Sequence, residues 1–136
     1  MTESRHISYY IAEYVEYIRE QFYIYIEETP VDDLPTTSIE RMKQKFENSL
    51  KIDTLTSKKY TKILTMDKLF RQPIVHSFIL NRDDNTFGQN FVKGDILQAD
   101  YYFQPFRDRT YGNVFYPESY RATWYRPLPL DSGDSV

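Results

Sequence analysis

The chain has 136 residues, 40% of them hydrophobic, which is enough for one domain with a real core. It has no cysteine, so disulfides, thiolate metal sites and cysteine nucleophiles are excluded. The formal net charge is −3, short of the basic balance of a duplex-DNA binder.

No apolar run approaches the roughly 20 residues that span a bilayer. The start, Met1-Thr2-Glu3-Ser4-Arg5, lacks the basic-then-apolar order of a signal peptide. A soluble intracellular protein with no membrane association is therefore expected. The charge is uneven. Residues 1–56 hold 6 basic against 11 acidic side chains, or −5, and residues 57–136 hold 11 against 9, or +2. This predicts an acidic helical face and a mildly basic β face.

The first element reads as an amphipathic helix from about Ser4 to Ile26. Ile7, Ile11, Tyr14, Ile18, Phe22 and Tyr25 recur at helical spacing, and Glu13, Glu16 and Glu20 share the opposite side. The run Phe22–Ile26 is rich in β formers and leaves its end open. A connector with Pro30 and Pro35 follows. Thr37 and Glu40 have capping-box spacing and open a second helix carrying Ile39, Met42, Phe46 and Leu50.

The period then changes. Lys59–Met66 and Ile74–Leu80 read as strands, separated from the next by the turn formers Asn81–Asn85. Phe91–Ala99 reads as a third strand with a bulge or turn at Lys93-Gly94-Asp95. Ser119–Tyr125 is the last, ended by Pro127 and Pro129. The expected fold is α+β: two N-terminal helices packed on an antiparallel sheet of about four or five strands. It forms a single domain over 1–130 with a disordered tail at 131–136.

Residues 101–127 hold ten aromatic side chains, four arginines and no lysine. Guanidinium groups interleaved with rings suit stacking on a base and gripping a phosphate. Arg107 and Arg109 lie in a loop between Pro105 and Gly112 and are expected to be exposed. Arg121 and Arg126 flank Trp124. The candidate ligand-binding set is Arg107, Arg109, Tyr111, Asn113, Arg121, Trp124 and Arg126, with the four guanidinium groups converging near Trp124, Tyr111 and Tyr120. The competing structural reading is an aromatic cluster rimmed by arginines paired to Asp108 and Glu118, with Asn113 capping local backbone.

Catalytic signals are poor. His76 lies inside a strand and reads as a structural histidine. By alternation it faces with Ile74 and Phe78, away from Ser77, so the two cannot act as base and nucleophile. Glu13, Glu16 and Glu20 read as a solvated face rather than a metal site, and Asp83-Asp84-Asn85 as a turn, because a calcium loop's closing glutamate is missing. No cofactor and no metal is expected, and the protein is read as a non-enzyme.

Five segments occur in a set order: Lys59-Tyr60-Thr61-Lys62-Ile63, Val75-His76-Ser77-Phe78-Ile79, Lys93-Gly94-Asp95-Ile96-Leu97-Gln98-Ala99, Pro105, and Tyr111-Gly112-Asn113-Val114-Phe115. Over about residues 59–115 this resembles a family of small, largely uncharacterised bacteriophage proteins. In that pattern a tryptophan stands where this chain has Tyr102 or Phe103. Lysine and alanine flank the proline where Gln104 and Phe106 stand, and an arginine replaces Tyr111. The resemblance implies a virus-encoded accessory protein in the cytoplasm of the infected host cell.

The function expected from these readings is non-enzymatic binding of a nucleotide signal or a single-stranded nucleic acid, as an antagonist of host defence. The alternative is a virion component or an inhibitor of a host protein. The tyrosine excess (13 Tyr) and the apolar first helix lead to an expected homo-oligomer.

Overall fold

The computed structural model describes residues 6–28, 50–67, 73–85, 90–100 and 103–129. The expected second helix, the tail at 131–136 and residues 101 and 102 lie outside them.

Helix α1 spans Ile7–Glu28. Its start is fixed by His6, whose Nδ1 accepts from the Ser8 backbone N–H at 3.1 Å, as an N-cap side chain does. Ile7, Ile11, Tyr14, Ile18 and Phe22 form the buried stripe, and Glu13, Glu16 and Glu20 face solvent as the spacing predicts. The β-forming run at Phe22–Ile26 stays helical. Phe22 and Tyr25 both reach the ring of Trp124, at 5.4 and 6.2 Å, and that contact holds only if the helical period continues. Tyr25 is nonetheless half exposed rather than part of the buried stripe.

The sheet is four-stranded and antiparallel, in the order β1 (Leu50–Thr56), β2 (Tyr60–Asp67), β3 (Pro73–Leu80), β4 (Ile96–Leu97). Strand β1 was not expected, and Leu50, assigned above to a helix, is its first residue. Its alternation is diluted by Lys51 and Asp53, but its register against β2 runs unbroken from Leu50↔Asp67 to Thr56↔Thr61. The connecting turn is closed by Ser57, whose N–H donates to the Tyr60 carbonyl at 2.7 Å, while its Oγ accepts from the Tyr60 N–H.

Strand β3 contains a β-bulge. Ile63 pairs with Ser77 and Leu64 with Val75, so His76 has no partner of its own. The extra residue resets the alternation. Ile74, His76, Ser77 and Ile79 turn toward the helix, and Val75, Phe78 and Leu80 turn away. The expected grouping of His76 with Phe78 and against Ser77 is thereby corrected.

The expected strand Phe91–Ala99 is broken into a bridge at Phe91, a turn at Lys93-Gly94 and the short β4. Gly94 has φ 93°, and a Cβ there would lie 2.6 Å from the Phe115 ring, so only glycine fits the turn. The expected last strand is likewise short. A 3-10 turn at Pro117–Ser119 leads into β5 (Arg121–Ala122), which turns at 124–126 and pairs with β6 (Pro127–Leu128).

The sheet's inner face carries the main core, with α1, Ile63, Ile79, Ile96, Val114 and Ala122. Its outer face carries a smaller cluster of Phe78, Leu80, Phe91 and Leu97. The helix is joined to residues 115–125 by an aromatic seam: Tyr10 on Phe115 at 4.8 Å, Tyr14 and Tyr17 on Tyr120 at 4.9 and 5.4 Å, and Phe22 on Trp124 at 5.4 Å. Much of the aromatic excess in 101–127 therefore serves helix docking. No helix among the described residues is long and apolar enough to cross a membrane.

Candidate ligand-binding site

The seven residues singled out from the sequence have different surroundings in the fold. Arg107 and Arg109 are half-buried rather than exposed. The Arg107 guanidinium lies 2.6 Å from an Asp84 carboxylate oxygen through Nη1, donates to the Tyr60 hydroxyl at 2.6 Å through Nη2, and stands 5.9 Å over the Tyr60 ring. Its acidic partner is thus Asp84, not Asp108 or Glu118. Arg109 stacks over Tyr111 at 5.5 Å. The Tyr111 phenol is raised above its ordinary pKa by burial and by Asp108, and Arg109 and Arg126 oppose the shift. Two of the four guanidinium groups therefore share Tyr111, while Arg107 lies against Tyr60.

Asn113 is committed to the fold. Its Nδ2 donates to the Lys93 carbonyl and to Asp95 Oδ1, and its Oδ1 accepts from the Phe115 N–H, all within 3.0 Å. Both Nδ2 protons are taken, so the amide cannot offer a base edge a donor–acceptor pair. Trp124 is 9% exposed, packed under α1, with an indole N–H that meets no acceptor among the described residues. Arg121 and Arg126 are exposed on the β5–β6 hairpin.

The bulge brings together what alternation should separate. His76 Nδ1 lies 2.8 Å from Ser77 Oγ, and His76 Nε2 lies 2.9 Å from the Thr123 carbonyl. A carbonyl only accepts, so Nε2 carries the proton and Nδ1 accepts from the Ser77 hydroxyl. The Ser77 oxygen then accepts from the Tyr14 hydroxyl at 3.2 Å. The chain Tyr14→Ser77→His76→Thr123 ties helix, sheet and hairpin together. Ser77 and Tyr14 are 0% exposed and His76 1%, so no substrate reaches the pair. Burial holds the His76 pKa down at about 4, which keeps the ring neutral.

The exposed aromatic chemistry lies elsewhere, on the outer face of the sheet. The residues Leu55, Lys62 and Phe78 form one row across β1, β2 and β3. Lys62 Nζ stands 5.7 Å over the Phe78 ring, and Tyr60 meets Phe78 edge-on at 5.7 Å. Pro105 pairs with Ala99 in an isolated bridge, and Asp100 accepts from the Phe103 N–H through its carbonyl and from the Gln104 N–H through its carboxylate. Phe103, Gln104 and Pro105 line, with Leu55, Tyr60, Lys62 and Phe78, a groove of about 280 Å³.

Phe103 lines that groove with φ 61°, the one non-glycine residue with positive φ among those described. A bulky side chain in the left-handed region costs on the order of 1 kcal/mol, and glycine or asparagine would avoid it. Core burial does not offset the cost, because Phe103 is 62% exposed. Alternation of Tyr60 and Lys62 on β2 was a signal for this shelf; the conformation of Phe103 left none.

A further concavity, about 550 Å³, lies between the start of α1 and the sheet. Its lining is mainly aliphatic and hydroxylic, with His6, Glu16 and Lys93 but no phenylalanine, tyrosine or tryptophan among them, and Thr61 Oγ1 is already bonded to Asn81 Oδ1 at 2.9 Å. Among the described residues no three acidic or histidine side chains come together as a metal site would require. No family model matches this chain, and no curated protein or solved structure is significantly similar to it.

Proposed function

We propose that this is a non-enzymatic binding module for a planar, phosphate-bearing ligand, a nucleotide or a single-stranded nucleic acid, received in the Phe103–Tyr60–Phe78 groove. The observation that carries the reading is Phe103: a ring held exposed, at a conformational cost, in a groove that Tyr60 and Lys62 also line. Stacking platforms with adjacent cations bind bases in this manner. Lys58 and Lys59, exposed in the β1–β2 turn, add positive charge at that end of the sheet. The burial of the Ser77–His76 pair supports a role without catalysis. With the resemblance to small bacteriophage proteins, the reading extends to a virus-encoded accessory protein that sequesters a nucleotide signal of host defence in the infected cell's cytoplasm.

The test is fluorescence anisotropy with labelled (dT)10 and (dA)10, beside a thermal-shift panel of nucleotides. Phe103→Gly is expected to weaken binding about ten- to hundredfold, the worth of one stacked ring. Absence of binding by the wild type at low salt, or unchanged binding by the variant, sinks the reading.

A second reading, an interaction protein that assembles with itself or a host protein, draws on a different place. Tyr23, Ile24 and Tyr25 at the end of α1 and Tyr125 on the hairpin are all exposed among the described residues. A single monomer mass across micromolar dilutions in native mass spectrometry would remove its homo-oligomer form.

A further inference from the structure

The groove has a charged clasp on its wall. Tyr60 lines the groove, and its hydroxyl is held by Arg107, whose other amine meets Asp84. Asp84 in turn lines a neighbouring polar hollow of about 360 Å³ with Lys59, Arg82 and Asp83. Arg107 thus links a residue of the groove, Tyr60, to a residue of the neighbouring hollow, Asp84. The side chains of Arg107 and Asp84 are 18% and 13% exposed, so the pair is largely out of water while keeping a small solvent-facing part.

The clasp has a chemical consequence. A guanidinium presents a planar fork that fits a carboxylate and a phosphate alike. A base seated on Phe103 and Tyr60 would carry its phosphate close to a fork that a carboxylate already occupies. Resting on the reading of the groove as a nucleotide site, we propose that Asp84 is an internal stand-in for the ligand's phosphate. It holds Arg107 in the free protein and yields it on binding, so that the groove selects phosphorylated over unphosphorylated planar ligands. The Tyr60 hydroxyl keeps the guanidinium aligned while the anion is exchanged.

AMP and adenosine, titrated by calorimetry into the wild type and Asp84→Asn, test this. Removing the competing carboxylate charge is expected to tighten AMP about fivefold, the worth of one partly screened ion pair, and to leave adenosine unchanged. Unchanged or weaker AMP binding by a folded Asp84→Asn protein overturns the proposal. Should that variant not fold, the wild type answers by NMR. The Arg107 Nε–H resonance is expected to move with AMP and stay still with adenosine; an unmoved resonance under AMP saturation overturns it. Wild-type protein that binds neither AMP nor adenosine also overturns it, while (dT)10 anisotropy decides the functional reading by itself.

Discussion

The two faces of the sheet solve opposite problems with the same residue types. On the inner face tyrosine, tryptophan and histidine are sealed beneath α1, and Tyr14, Ser77 and His76 align in one hydrogen-bonded chain that ends at the Thr123 carbonyl. On the outer face a phenylalanine, a tyrosine and a lysine are presented to solvent, one of them at the expense of its backbone. Aromatic content therefore does not locate a site. What sets Phe103 apart from the sealed rings is that its environment does not reward its position with burial.

Substitutions should divide along that line. Trp124→Ala removes the end of the aromatic seam and is expected to cost about 3–5 kcal/mol by chemical denaturation. Phe106→Ala, at an exposed position, should stay within about 0.5 kcal/mol of wild type. Equal losses at both sites would erase the distinction between the faces.

Acid should attack the inner face next. His76 has a folded pKa of about 4, below its ordinary 6.5, so between these values the unfolded chain binds more protons. The contribution is whole above pH 6.5 and is lost as pH falls toward 4. It amounts to about 3 kcal/mol over that window. Urea titrations at pH 7 and 4 should show the wild type losing that much more than His76→Gln. Parallel losses would place the acid sensitivity elsewhere.

A smaller effect probes the same chain of bonds. Tyr14→Phe deletes the hydroxyl that donates to Ser77 while keeping the ring, and is expected to lower stability by about 1 kcal/mol. No change would mean that the Tyr14–Ser77 bond is energetically idle.

The smallest effect has the opposite sign. Phe103→Gly should leave stability unchanged or raise it by up to about 1 kcal/mol, as strain relief offsets glycine's extra entropy in the unfolded chain. A loss above about 1 kcal/mol would show that the ring is part of the core and that the outer face is not a presented surface.

The helix stripe and both long strands β2 and β3 were legible because each carries a period of its own. Leu50 was misassigned because its spacing from Phe46 continues a helical pattern, whereas its partner Asp67 lies 17 positions away. The partner of Arg107 was missed for a related reason. Arg107 was matched with acids near it in sequence, but its partner Asp84 comes from the loop after β3. Asn113 was ambiguous by nature, since an amide serves a base edge and a backbone equally well until its three partners are known. Phe103 could not be read at all, because nothing in residue order shows a left-handed backbone angle at a phenylalanine.

The bulge at His76 allows strand β3 to be read as a regular strand with one letter inserted. Striking out His76 leaves Ile74, Ser77 and Ile79 on one side and Val75, Phe78 and Leu80 on the other, in perfect alternation and with every face assignment kept. The sheet does not need this residue to be a sheet. Its contribution is a link outward, from the middle of a strand to the Thr123 carbonyl of a hairpin 47 positions later. One surplus residue thus binds the last part of the chain to its centre, and the hairpin that carries Trp124, Arg121 and Arg126 takes its position from it.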